Sequence, residues 1–358
     1  MRKTGILIFA IALFVFSCKS SIGTFKKNPT SPKDYAFNFL NKENIPGMSI
    51  SVSKKGTLIW SQGFGYSDLQ NKTKVSPKTT QFRIASISKP ISAMALATLV
   101  DKNKLEFDAS IYKYLPDYPT KEYDFTIRQI GGHTSGIRGY KGNEFFLNEK
   151  LSITEGLDIF KDDPLLFKPQ SDYNYSTYNW VLLSEVVQEI AQTPFSNYVE
   201  KVIFNPLKMT STTLDVSDSI FPNRTKFYRK TKAGQIVLGT DVSNEYKVAG
   251  GGFLSTSEDL IKFGNEVIYP KLISETALKE LIKPQILESG KITYYGIGFS
   301  IGETKTNTPV YSHSGSSIGA STLLLIYPKE EVVISILTNL SNVPIYDLGK
   351  TLESIFLN

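Results

Sequence analysis

The sequence predicts an α+β fold: an antiparallel sheet flanked by helices, with a mainly helical subdomain inserted at about residues 110–245. Three observations lead there. Gly47 to Gly65, GMSISVSKKGTLIWSQGFG, is two β-prone runs around Lys54-Lys55-Gly56, a hairpin signature. The middle of the chain changes to helical periodicity. The C-terminal part returns to short apolar or alternating runs, YYGIGFSIGE, VYSHSGS, ASTLLLIYP and EVVISILTN. Their connections are too short for helical crossovers and favour antiparallel pairing. The sheet is therefore expected to draw strands from both chain ends.

Composition allows one sizeable globular unit. The 358 residues are 41% hydrophobic and 21% charged. The formal charge is +6, but no dense Lys/Arg cluster follows the extreme N-terminus. Nucleic acid is therefore not an expected partner, because its recognition needs clustered charge.

The N-terminus, MRKTGILIFAIALFVFSCKSS, has a basic start at Arg2 and Lys3 and an apolar run from Gly5 to Phe16. That run is shorter than the roughly 20 residues of a membrane span and fits a signal peptide over 1–17. Val15-Phe16-Ser17-Cys18 resembles a bacterial lipobox, in which Cys18 carries the lipid anchor. The polar, proline-containing stretch that follows fits a flexible tether over 18–35, leaving 36–358 as the folded domain. Cys18 is the sole cysteine, so no intramolecular disulfide and no folded cysteine nucleophile are expected.

Arg83 to Val100, RIASISKPISAMALATLV, is the stretch with chemistry in it. Ile87, Ile91, Met94, Ala95 and Leu99 recur at helical spacing, which puts Ser86 at the start of a buried helix. Pro90 is tolerated in a first turn. Residues i and i+3 share a helix face, so Ser86 and Lys89 can meet. Two other Ser-x-x-Lys pairs are worse placed. Ser51 and Lys54 lie on a strand and point to opposite faces. Ser110 and Lys113 fall in the loop-like LEFDASIYKYLPD. A serine hydroxyl needs a base, and a lysine acts as one only when burial or nearby positive charge lowers its pKa.

Further along, TIRQIGGHTSG reads as a short helix with a glycine stop, and His133 as a turn-stabilising residue. Val181, Leu182, Val186, Ile190, Phe195, Tyr198, Val199 and Val202 mark long helical periodicity. Ser255 to Glu258 fits a capping box, and a last helix is expected over about Val343–Phe356. The two histidines lie far apart in sequence and give no metal-ligand cluster.

Three motifs, Ser86-Ile87-Ser88-Lys89, Tyr175-Ser176-Thr177 and His313-Ser314-Gly315, occur in that order. With AGGGFLSTSEDL, IFNPLKMTST and YGIGF, they resemble the serine β-lactamase and penicillin-binding-protein superfamily, particularly its class C-like branch. The resemblance runs from about Asn41 to the C-terminus and implies the β-lactamase/transpeptidase-like fold, with no cofactor. It implies Ser86 as acylated nucleophile, Lys89 as base or proton relay, and Tyr175 as proton shuttle. The backbone N–H groups of Ser86 and Ser316 would form the oxyanion hole. Thr177, His313, Ser314 and Gly315 would line the substrate site. Two departures stand out. Thr177 sits where the family often has Asn, and His313 where many relatives have Lys. A histidine is expected to titrate near neutrality and to help hold a substrate carboxylate or tune Tyr175. Both departures argue against efficient β-lactam hydrolysis. The expected function is an exported, lipid-anchored serine hydrolase, facing the periplasm or cell surface, that acts on a small ester, a D-amino-acid peptide or a β-lactam. The alternative is a catalytically weak, lipid-tethered protein that binds cell-wall peptides.

Overall fold

The computed structural model describes residues 26–357. The main helices are α1 (Pro32–Lys42), α2 (Ser88–Asp101), α3 (Tyr178–Ala191), α4 (Ser257–Ile268) and α5 (Ile345–Phe356). The main strands are β1 (Gly47–Lys54), β2 (Thr57–Asp68), β3 (Thr73–Lys74), β4 (Ser300–Glu303), β5 (Pro309–Ser317), β6 (Ala320–Tyr327) and β7 (Val332–Thr338). They form one seven-stranded sheet in the order β3-β2-β1-β7-β6-β5-β4, antiparallel throughout. The expected hairpin is present, and Lys55 and Gly56 both take positive φ in its turn, as a tight hairpin turn requires. The sheet is closed between the chain ends, where Met48 faces Thr338. Just beyond the ladder the Gly47 N–H donates to Asn339 Oδ1 at 2.7 Å, across 292 residues.

Both faces of the sheet are covered, which is why β6 and β7 read as continuous apolar runs rather than alternating ones. Helices α1 and α5 pack Phe39, Leu40, Leu348 and Leu352 against Ile50, Ile334, Ile336 and Leu323. On the other face α4 packs against β1, β6 and β7, and Leu324, Ile326, Val333 and Leu337 join the apolar side of α2 in one core cluster. Between α2 and α4 the chain forms short helices at Ile127–Gly131, Ile153–Leu157 and Phe195–Val199, besides α3. It also forms short strands. Thr213–Leu214 joins Phe82–Arg83 and Phe253–Ser255 in a three-stranded sheet, and Tyr228–Lys230 pairs with Ile236–Leu238.

Two local expectations shift. The first turn of α1 occupies residues 32–35, inside the expected tether. Ser31 caps it by accepting from the Asp34 N–H, and Asn38 bonds the backbone of Lys26 in both directions. The expected signal peptide and Cys18 lie outside the described residues. The α4 cap also moves one residue on. Ser255 is held in its strand opposite Phe82, so Thr256 becomes the N-cap and accepts from the Asp259 N–H. Glu258 instead accepts from the Ser61 hydroxyl at 2.8 Å.

Candidate active site

Ser86 sits in a tight helical turn, Ala85–Ile87, that runs straight into α2. The turn is strained. Ala85 has φ +48°, a region that costs a non-glycine residue energy and persists only when the surroundings enforce it. The enforcement comes from β5 and β6. Thr322 donates its hydroxyl to the Ile84 carbonyl at 3.0 Å. Gly315 lets β5 come close: a Cβ there would stand 2.3 Å from both the Ile84 oxygen and Thr322 Oγ1. From below, the Phe253 N–H donates to Ser88 Oγ at 3.3 Å.

Lys89 lies one helical turn on and is 0% exposed. Its Nζ donates to Ser86 Oγ at 3.0 Å, to the Gly250 carbonyl at 2.5 Å and to Thr177 Oγ1 at 3.5 Å. No acidic side chain forms an ion pair with it among the described residues. Burial alone therefore acts on the amine and pulls its pKa down to about 7. The other two Ser-x-x-Lys pairs have no such geometry. Ser51 bonds Ser61 and Ser257 while Lys54 reaches the Phe356 carbonyl. Ser110 donates to Asp124 and Lys113 pairs with Glu106.

Tyr175 comes from the loop before α3, with its ring centroid 4.9 Å from Lys89 Nζ. It is 41% exposed along the cleft, yet desolvation around its phenol holds the pKa above the ordinary value, partly opposed by the Ser86 side chain. The loop is organised by His133. His133 is fully buried with φ +63°, and its carbonyl accepts from the Asn174 N–H at 2.9 Å. Its Nδ1 accepts from the Ser176 N–H at 3.3 Å and from the Asn179 amide at 3.1 Å. The ring packs 4.4 Å from that of Tyr175 and 4.9 Å from that of Tyr295. The turn role read from sequence thus extends to holding the Tyr175 loop.

His313 lies on β5, its ring centroid 6.2 Å from that of Tyr175. It is 4% exposed. Its Nδ1–H donates to the Ser314 carbonyl at 2.7 Å, and Nε2 accepts from the Tyr295 hydroxyl at 2.9 Å. Burial first, then the nearby Lys89 charge, push its pKa down to about 3, against that backbone bond. Burial thus favours the neutral form of His313, and both ring nitrogens are engaged.

Ser86, Tyr175, Thr177, His313, Ser314 and Ser316 line one cleft of about 380 Å³. Tyr140, Tyr173 and Tyr295 add aromatic walls. A recess of about 40 Å³ opens beside it, shares Ser86, Thr177 and Ser316, and is closed by Asn244, Lys247 and Gly250. Sequence reading missed Lys247 and Asn244, which carry no motif of their own, and gave no site role to Tyr295, the first residue of YGIGF. A larger groove of about 560 Å³, near Tyr118 and Glu185, contains no serine–lysine pair. No cluster of three or more His, Cys, Asp or Glu placed to hold a metal occurs among the described residues.

Comparison with known proteins gives the family and the fold. Residues 33–350 match the family described as Beta-lactamase. The chain is 29% identical over 424 residues to serine beta-lactamase-like protein LACTB, mitochondrial, of Homo sapiens, over 87% of this chain and 77% of that protein. It is 24% identical over 332 residues to Penicillin-binding protein 4* of Bacillus subtilis, over 88% of this chain and 72% of that protein. Among solved structures, the octameric penicillin-binding protein homologue from Pyrococcus abyssi superposes with a TM-score of 0.79 at 22% identity, covering 90% of this chain and 76% of that one. The D-amino acid amidase from Ochrobactrum anthropi SV3, complexed with L-phenylalanine, gives 0.77 at 19% identity, covering 90% and 98%. At these identities the solved structures bear on the fold alone.

Proposed function

The chain belongs to the beta-lactamase family, and from that premise we propose that it is a serine hydrolase working through an acyl-enzyme, with Ser86 as nucleophile. The observation that carries this reading is the 3.0 Å contact between Ser86 Oγ and a buried lysine without a carboxylate partner. With a pKa near 7, a large fraction of Lys89 is neutral at neutral pH and can accept the Ser86 proton. Ser86 Oγ then bonds to the substrate carbonyl carbon. The carbonyl electrons move to oxygen, and the Ser86 and Ser316 backbone N–H groups receive the oxyanion. Tyr175, kept protonated by its raised pKa, gives its proton to the leaving group as the carbonyl–heteroatom bond breaks, and the proton on Lys89 replaces it. Water attacks the resulting ester, loses a proton to the same relay, and Ser86 leaves with its proton restored.

The environment of His313 supports esters and uncharged leaving groups over peptides with a free carboxylate beside β5. The same feature disfavours β-lactams, whose carboxylate sits on the leaving-group side. The N-terminal segment supports an exported protein, anchored by lipid at Cys18.

The test is intact-protein mass spectrometry after treatment with a fluorophosphonate and, separately, a penicillin, beside Ser86→Ala. The expected result is a fluorophosphonate adduct that requires Ser86, with slower or no penicillin adduct. Folded protein that takes neither probe, or an adduct that survives Ser86→Ala, refutes the mechanism.

A further inference from the structure

We propose that Lys247 is a specificity residue that receives an anionic group, a carboxylate in the first place, on the acyl part of the substrate. This rests on the serine-hydrolase reading above. Lys247 is 5% exposed and lines the small recess beside Ser86. No acidic side chain forms an ion pair with it among the described residues. Glu245, two residues earlier, uses its carboxylate on Ser217, Ser243 and the Asn244 N–H. The ammonium makes a long hydrogen bond to the Phe145 carbonyl, 3.4 Å. It lies 5.4–5.9 Å from the ring centroids of Tyr140, Phe145 and Tyr246. Arg83, the other cation acting on it, already has its own partner in Asp215 at 2.6 Å. Burial first, then the Arg83 charge, draws its pKa down to about 8, against the pull of the nearby Glu245 carboxylate; a cation this buried with no carboxylate in direct contact is costly. An incoming anion would supply the direct partner that Glu245, engaged elsewhere, does not.

The position indicates which part of the substrate carries that anion. Tyr175 hands its proton to the leaving group, so the leaving group lies in the larger cleft with Tyr175 and His313. The recess shares Ser86, Tyr140, Phe145, Thr177 and Ser316 with that cleft but is lined by neither Tyr175 nor His313, which leaves it for the acyl part. No Asp or Glu lines either cavity. A recess of about 40 Å³ admits one small group, since a water molecule occupies about 30 Å³.

Two activated esters with a common leaving group test this: 4-nitrophenyl hydrogen succinate and 4-nitrophenyl butyrate. Wild type is expected to favour the succinate, and the ratio of the two kcat/KM values should fall by about tenfold or more in Lys247→Met, the scale of one good charge contact. Lys247→Arg should keep most of the preference. An unchanged ratio in Lys247→Met overturns the proposal, even if both rates drop together. A thermal-shift titration with succinate, in wild type and in Lys247→Met, reads the site without turnover. Stabilisation confined to wild type supports the proposal, and equal responses overturn it. The hydrolase reading fails separately, through ester cleavage that persists in Ser86→Ala or through absence of cleavage in wild type.

Discussion

At the scale of single residues, Lys89 serves function at a cost to stability. A lysine titrating near 7 in the fold and near 10.5 when free binds a proton in the unfolded chain that the folded chain does not hold, across that whole window. Stability therefore rises with pH between those values and is reduced below them. Lys89→Met should lower kcat/KM by about 10²–10⁴-fold and, at neutral pH, raise stability by about 1–4 kcal/mol, with the gain shrinking as pH climbs. Wild-type kcat/KM should rise with pH with a midpoint near 7, since the base works only when neutral. Denaturant melts and a pH–rate profile check both. A variant that is no more stable, or an activity that falls through that range, would contradict the assignment. His313 shows the limit of residue type as a guide. Its identity suggests a group that titrates near neutrality, but burial opposes its charged form and its Nε2 is engaged by Tyr295.

At the scale of elements, the site depends on how closely β5 approaches the Ser86 turn. Gly315→Ala would drive a methyl into the Ile84 carbonyl and Thr322 Oγ1. We expect a loss of about 1–3 kcal/mol from overpacking. We also expect a fall in kcat/KM of about 100-fold, the scale for misplacing a reacting group by an ångström; near-normal kinetics would show that the turn keeps its shape without β5. The elements that were legible share local signatures. Lys55-Gly56 marks the hairpin, the glycine stop at Gly131-Gly132 marks the short helix, and the Ser86–Lys89 spacing fits one helix face. Elements that escaped depend on distant partners. The strand Thr213–Leu214 forms because Phe253–Ser255 lies beside it, and the Tyr228 strand because Ile236–Leu238 returns against it. Lys247 belongs to the same class, since its meaning comes from rings and a recess assembled from separate segments.

At the scale of the whole molecule, the sheet stands between two apolar layers, with the cleft at the end of β5 where α2 begins. The N-terminal expectations lie ahead of this body. The described residues contain no helix long and apolar enough to cross a membrane; the proposed lipid anchor is at Cys18. Cys18→Ser should move the protein from the membrane fraction to the soluble one with unchanged ester-hydrolysis constants. Retention on the membrane would argue for a different attachment. The closure of the sheet between β1 and β7 has a temporal consequence. The hairpin made first during synthesis waits for strands nearly the full chain away, and such distant pairing makes folding slow. Until β5 and β6 arrive, the Ala85 turn lacks the Thr322 and Gly315 contacts that enforce it, so the nascent chain has no fully braced nucleophile. A polypeptide that stays open until its last strands emerge can be threaded through a narrow pore and become reactive only on the far side.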